Sequence, residues 1–219
     1  MTVHTRNRLF KEVLFFSFLV CTLAITMLPF IFMSAEALAP SPLTAVEGSR
    51  YLPQNWSLES FRQLMSVGDI SRFVMNSMIH AFGYTFLSLL LNSLAAFAFA
   101  RMVFPGRDRL FTMLILAMMV PGQVIMIPVF IIVKSLGLLN SFAGLILPGC
   151  AHAFGIFAVR QFMRDLPDEI FDAARTDGCS DIDLFIHIAL PLCRPILASL
   201  AVTSFIYTWD QFLYPLVIM

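Results

Sequence analysis

The sequence predicts an all-α membrane protein with about five transmembrane helices, and three observations carry that prediction. Of its 219 residues 59% are hydrophobic and only 13% charged, whereas a soluble globular domain carries about 25% charged residues. The mean hydropathy is +0.84. Apolar runs long enough to cross a hydrocarbon core of about 30 Å recur along the chain, separated by short polar stretches. Fourteen Lys and Arg balance fourteen Asp and Glu, so no basic surface argues for nucleic acid as a partner. The partner that composition implies is the lipid bilayer. Cys21, Cys150, Cys179 and Cys193 have no paired spacing and no matching histidines, so neither a disulfide framework nor a zinc site is expected. No metal and no cofactor is expected.

The first span is placed at 13–33, an unbroken apolar run. Arg6, Arg8 and Lys11 ahead of it and Ala35-Glu36-Ala37 behind it also fit a cleaved signal, but the run exceeds the 7–15 residues of such a segment, so a retained span is expected. Residues 34–72 read as an external loop, turn-rich at Pro40, Pro42, Gly48, Pro53 and Gly68. A short helix is expected there from Ser57 to Met65, capped by Ser57 and apolar along Leu58, Phe61, Leu64 and Met65. The second span, 73–100, ends at Arg101, and its alanines from Ala95 to Ala100 allow close helix approach.

A third span at 110–133 contains Pro121, Gly122 and Pro128, which bend a helix and free its carbonyls. A wall that lines a cavity and a merely kinked packing helix both fit. The fourth span, 142–163, contains His152, expected to be buried and bonded to a backbone carbonyl. The fifth, 196–219, carries Trp209, Asp210, Gln211, Phe212 and Tyr214. An acid facing lipid at the membrane centre costs about 2.5–3.5 kcal/mol, so Asp210 is expected to face protein or a wet cavity. Fifteen residues beyond Pro195 is about 22 Å of helix, which puts Asp210 past the midplane. Aromatic rings, a carboxylate and an amide together can stack on and hydrogen-bond a sugar or polyol, though an interfacial aromatic belt fits the same residues.

Between the last two spans lies the one long polar island in the second half, residues 164–195. It reads as two short helices joined by a glycine. Pro167 suits a first helical turn, Asp168, Glu169 and Asp172 complement the positive end of the dipole, and Gly178 stops the helix. Ser180 starts the second helix, with Asp183 three residues on in a shortened capping box. Ile182, Phe185, Ile186 and Ala189 give it an apolar stripe, and Leu190-Pro191 is expected to close it. A segment of about thirty residues cannot bury its own apolar surface, so a partner or the membrane surface must cover it.

The run Asp172-Ala173-Ala174, then Gly178, then Ile188, Leu190 and Pro191 resembles the E-A-A-x-x-x-G-x9-I-x-L-P motif of ABC importer permeases. Asp172 stands where the motif has Glu; Glu169 is the nearest glutamate, one turn too early. The resemblance is closest to the second permease subunit of the carbohydrate-uptake group, of the maltose and glycerol-3-phosphate type. Leu94 to Arg101, Phe104 to Arg107, Leu136 to Asn140, and Trp209 to Leu216 are similar to stretches of the same permeases, with Asp210 where a W-N-x-F/Y-x-x-P-L stretch has Asn.

That resemblance implies a coupling loop built on Glu169, Asp172, Ala173, Ala174, Asp177, Gly178, Ile188, Leu190 and Pro191, which docks into a cleft of an ATPase. It implies a substrate pathway along Trp209, Asp210, Gln211, Phe212 and Tyr214. The partners it implies are an ATP-binding cassette ATPase dimer, a second permease subunit, and an extracytoplasmic solute-binding protein. Residues 1–219 are then a single transmembrane permease domain in the cytoplasmic (inner) membrane, moving a sugar or a sugar-like polyol phosphate. The family fold has six spans, and the sixth is expected to be missing here.

No G-x-x-x-x-G-K-[ST] occurs, so the energy of ATP must come through a separate subunit, and the absence of H-E-x-x-H and G-x-S-x-G argues against a hydrolase. Ten of the fourteen Lys and Arg fall in the amino-terminal segment, the 101–109 turn and the loop 160–194, which predicts that the amino terminus and the polar island face the cytoplasm. The alternatives are a membrane binding platform that moves no solute, a truncated inactive permease, and an intramembrane enzyme using Asp210 or His152.

Overall fold

The computed structural model describes the backbone of residues 3–39 and 56–219, so Pro40, Pro42, Gly48 and Pro53 of the expected external loop lie outside the described residues. The chain forms two compact units, Met1–Arg72 and Phe73–Met219. Among the described residues every regular element is helical.

The first unit contains α1 (Val3–Ala37) and α2 (Glu59–Val67). From Lys11 to Ala37 the first helix is apolar and long enough to cross a bilayer. Its apolar side chains, from Val13 to Met33, are almost all exposed, as a helix facing lipid requires. The chain after it is pinned by backbone: the Ser57 N–H donates to the Leu38 carbonyl at 2.8 Å and the Ser60 hydroxyl to the Ala39 carbonyl at 2.9 Å. Ser57 acts one residue earlier than expected; its hydroxyl accepts from the Glu59 N–H at 3.1 Å while Leu58 occupies the cap position.

The second unit is built on α3 (Ile70–Arg101), which belongs to it from Phe73 onward and is the other helix long and apolar enough to span alone. α4 (Arg107–Ala117), α5 (Gly122–Ser135), α6 (Phe142–Cys150) and α7 (Ala153–Arg164) follow. The polar island supplies α8 (Asp168–Thr176) and α9 (Asp181–Asp183), a π-helical stretch Leu184–Ala189, and α10 (Leu190–Leu192). α11 (Arg194–Trp209) and α12 (Leu213–Ile218) complete the described chain.

The third expected span is broken where its prolines were expected to bend it, the fourth is broken without such a signal, and the fifth is interrupted at Asp210–Phe212. α4 and α5 meet at 105°, α6 and α7 at 46°, and the helix Asp181–Leu192 meets α11 at 76°. Eleven residues of α4 are about 16 Å long and fourteen of α5 about 21 Å, so neither crosses a bilayer alone. The first break follows from Pro121, which lacks an N–H and takes extended backbone, φ −59° and ψ 135°, ahead of Gly122. Five spans result only if each bent pair is one crossing.

The break between α6 and α7 is held by a buried polar group that was not expected. Ala151 and His152 are extended, which strands their backbone groups away from a helical ladder. Asn92 of α3 bridges the gap, accepting from the His152 N–H at 3.1 Å and donating to the Cys150 carbonyl at 3.5 Å. Asn92 also donates to the Ser88 hydroxyl at 2.8 Å. His152 bonds to a backbone N–H rather than the carbonyl expected, and it is half-buried: its Nδ1 accepts from Gly155 at 3.0 Å and caps α7. With Nδ1 accepting, Nε2 carries the ring proton and donates to Ser88 at 3.2 Å. Each member therefore satisfies another, the condition for polar groups in an apolar interior.

Gly155 is part of this packing, because a Cβ there would stand 2.6 Å from Asn92 Nδ2 and 2.7 Å from His152 Cε1. Gly155→Val is expected to lower stability by about 1–3 kcal/mol through this overlap. Gly122→Ala, with nothing within 4 Å, is expected to change it by less than about 0.5 kcal/mol. Thermal unfolding of the two variants in detergent separates the cases.

Candidate functional site: a clamped polar island and a tyrosine-lined cavity

The polar island is ordered by one side chain outside it. Arg101, the last residue of α3, is only 7% exposed along its side chain. Its guanidinium donates to the carbonyls of Met163 and Leu166, the latter at 2.7 Å, and pairs with Asp168 in the first turn of α8. Its Cζ lies 4.1 Å from the centre of the Phe171 ring. These contacts join the ends of α3 and α7 to the start of α8. A second arginine, Arg160, works beside it, donating to the Phe99 carbonyl at 3.2 Å with its Cζ 3.7 Å from the centre of the Phe111 ring.

α8 forms for the reasons its sequence offers. Pro167 stands at the cap position with extended backbone, one place before the first turn, Asp168 and Glu169 carry negative charge at the positive end, and Arg175 sits in the last turn. Phe171 and Ala174 face inward and join the core of Ala96, Phe97, Val159, Met163, Leu184, Phe185 and Ala189. Gly178 takes φ +89°, donating its N–H to Arg175, while Cys179 donates to Ala174, each at 3.0 Å. This is a Schellman ending, and it reverses the chain at once into α9. Ser180 and Asp183 form the expected capping box, and the Ser180 hydroxyl and N–H hold the Asp183 carboxyl below the usual carboxylate range.

Two expectations about the second helix are corrected. Leu190-Pro191 does not close it: the chain winds into the wider π form from Leu184 to Ala189, and α10 carries the helix through Pro191 to Leu192. A π stretch rearranges the hydrogen-bond register just where Pro191 offers no N–H. The apolar stripe is also divided between the two sides of the helix. Leu184, Phe185 and Ala189 are buried, while Ile182 and Ile186 point outward, 70% and 48% exposed.

The expected coupling residues therefore fall into two groups. Glu169, Asp172, Ala173, Asp177 and Gly178 are exposed, whereas Ala174 is buried and Ile188, Leu190 and Pro191 are half-buried against the core. The outward face also includes Ile182 and Ile186 of the expected apolar stripe, and Ile170, which was not predicted.

The second feature is a cavity of about 640 Å³ enclosed by residues of α3, α5, α6, α11 and α12 and by the break after α11. Asp210, Gln211, Phe212 and Tyr214 line it; Trp209 does not, and stacks on Phe205 with ring centres 5.8 Å apart. The break at Asp210–Phe212 explains the arrangement, since non-helical backbone at membrane depth is tolerated where it lines a cavity. Tyr84, Gln123 and Tyr207 complete the polar lining and were not predicted, because they come from separate helices. Tyr84 donates to the Gly149 carbonyl at 2.8 Å and Tyr214 to the Gly144 carbonyl at 2.9 Å, tying α3 and α12 to α6.

Residues 89–219, which include the island and most of the cavity, match the family described as the binding-protein-dependent transport system inner membrane component. The chain belongs to that family. Its members are membrane components of transport systems and not enzymes. Among curated members, it is 35% identical over 187 residues to the sn-glycerol-3-phosphate transport system permease protein of Escherichia coli K12, covering 85% of this chain and 66% of the relative. It is 32% identical over 208 residues to the polygalacturonan/rhamnogalacturonan transport system permease protein of Bacillus subtilis, covering 95% and 72%. The chain thus spans about two thirds of the length of the glycerol-3-phosphate members it matches. The fold is that of a bacterial ABC transporter involved in the import of the acidic polysaccharide alginate, with a TM-score of 0.83 at 20% identity over 98% of this chain and 75% of that one.

The clamp gives a stability prediction. Arg101→Ala should cost about 2–3 kcal/mol, since it leaves two carbonyls and Asp168 without their charged donor. Arg101→Lys should recover less than half, because an ammonium cannot reproduce the fork. Hydrogen exchange over 165–178 is expected to rise in both, most in the alanine variant.

Proposed function

We propose that the chain is a permease subunit of an ATP-driven, binding-protein-dependent importer that moves a sugar or a sugar-like polyol phosphate across the cytoplasmic membrane. Two members of the family support the solute class, since their names give sn-glycerol-3-phosphate and polygalacturonan or rhamnogalacturonan as cargo. The observation that carries the reading is the polar island. It offers an exposed helical surface with Glu169, Asp172, Ala173 and Asp177 outward, fixed from behind by Arg101 and Phe171.

On this reading an ATPase dimer grips that surface, a second permease subunit completes the pathway, and a solute-binding protein delivers cargo from outside. Residues 1–219 act as one permease domain with the amino terminus and the island on the cytoplasmic side. Closure of the ATPases draws the islands together, and the clamp passes that movement to α3. Asp210, Gln211, Phe212 and Tyr214 face the solute in the cavity, with Trp209 packed behind them. A platform that binds an ATPase without moving solute is the rival, and the two differ in uptake.

Gly178→Val tests coupling. A Cβ at Gly178 meets nothing within 4 Å, so the damage would come from its positive φ alone and stay local. Uptake should fall by at least about tenfold while membrane insertion and core stability hold; normal uptake in an inserted variant sinks the coupling role.

Cys179 tests orientation. It is exposed in the island and Cys193 is buried, so in a Cys21→Ser background an impermeant maleimide should modify one thiol. Modification is expected in inside-out vesicles and absent from intact cells; the opposite pattern reverses the topology.

A further inference from the structure

The hydrogen-bonding groups that line the cavity are unequal in kind. Tyr84 and Tyr214 have already given their protons to the Gly149 and Gly144 carbonyls, so each phenolic oxygen can only accept. Gln211 gives one amide N–H to the Tyr207 oxygen at 3.3 Å; its second N–H, the Tyr207 hydroxyl and the Gln123 amide are the side-chain donors on the lining, and all of them are neutral. Asp210 is exposed to the cavity with no hydrogen bond or ion pair among the described residues, and a carboxylate is acceptor-only. Among the described residues no Lys, Arg or His lines the cavity.

One feature has the opposite sign. α5 begins at the cavity with Gly122 and Gln123, and the first N–H groups of a helix carry about half a positive charge. Against it stand the full charge of Asp210 and the C-terminal end of α11, which carries about half a negative charge where Asp210 caps it. The balance is negative. A helix N-terminus without a cation beside it can hold a hydroxyl or ring oxygen, but it cannot offset Asp210 for a phosphate or carboxylate.

We infer that this cavity takes a non-anionic solute rich in hydrogen-bond donors, a neutral polyhydroxylated sugar or polyol or an amino sugar, and that Asp210 is the residue that turns away sugar phosphates and sugar acids. Hydroxyl and ammonium groups supply donors to the Asp210 carboxylate and the Tyr214 oxygen, and the exposed Tyr207 ring offers an apolar surface to a sugar ring. An anion would instead meet an unpaired carboxylate of its own sign. The volume is within the range of about 300–1,000 Å³ typical of small-molecule sites. The inference rests on the importer reading and narrows its solute class to the non-anionic members.

The test uses the complex purified through a tag on the full chain and reconstituted with its binding protein, reading solute-stimulated ATP hydrolysis. The neutral probes are glycerol, glucose, maltotriose and raffinose; glucosamine and its disaccharide are cationic; sn-glycerol 3-phosphate, glucose 6-phosphate and galacturonate are anionic. Stimulation by a neutral or cationic probe and not by the anions is expected. An intact complex stimulated by anions alone overturns the inference and leaves the importer standing, whereas failure to recover any ATPase overturns the importer reading itself.

Asp210→Lys should lower kcat/KM for the responding probe by about tenfold or more, the usual loss for a hydrogen bond to a charged group. Asp210→Asn, which keeps the shape and guards against misfolding in the lysine variant, should leave a neutral probe within about threefold and weaken a cationic one by about tenfold. An unchanged response and unchanged probe selectivity in both variants overturns the role of Asp210.

Discussion

Arg101 is where the described structure is most constrained, because a guanidinium that is almost fully covered must find acceptors or cost several kcal/mol. It finds the two carbonyls at the end of α7, the Asp168 carboxylate and the Phe171 ring, and only its Nε lacks a partner. The carbonyls matter most, since the last turn of any helix has acceptors without intrahelical donors. One side chain thus completes a helix end, fixes the angle at which α8 leaves it, and seals the core beneath Phe171 and Ala174. Asp168 adds less, because its own carboxylate is 82% exposed and the pairing is screened. The island can therefore show its acidic face outward without a core of its own.

α3 carries this constraint into the membrane. It runs from Ile70 to Arg101 without a proline, and Tyr84, which touches the cavity, lies seventeen residues before Arg101, about 25 Å along the axis. Between them Ser88 and Asn92 hold the break between α6 and α7. An unbroken helix that meets the island at one end, a hinge in the middle and the cavity toward the other is a stiff connection between them. The broken helices around it can bend at 117–122, 151–152 and 209–213 with less resistance, since their ladders are already interrupted there.

Much of this was legible in the sequence, and what was not shares a cause. Hydropathy located α1 and α3 because each is continuous, and the Gly178 stop and Ser180 box were readable because capping chemistry is local. Breaks were harder: Pro121 and Pro128 look alike in the sequence, yet α5 begins after the first and runs through the second. The Asn92 network could not be read at all, because its members lie some sixty positions apart and each residue alone resembles an ordinary polar tolerance within a span. Arg101 was read as the end of a helix and as a topogenic charge, which says nothing of its carbonyl partners. The π stretch was invisible for another reason: periodicity assumes a constant turn, and the chain departs from it between Leu184 and Ala189.

The position of Asp210 follows from the same economy of backbone groups. α11 ends at Trp209, and the carbonyls of its last turn face the region where Asp210, Gln211 and Phe212 leave the helix. In lipid such a break would leave several polar groups unsatisfied at several kcal/mol each. Here the break opens on a cavity walled by tyrosines whose hydroxyls tie neighbouring helices together, so the interruption and the wet space require one another. Trp209 turns the other way and stacks on Phe205, which leaves the cavity edge to the carboxylate. A helix that continued through 210–212 would close this space and bring the carboxylate against apolar neighbours. The break is therefore what allows an acidic residue to persist in this span, at the lining of the cavity.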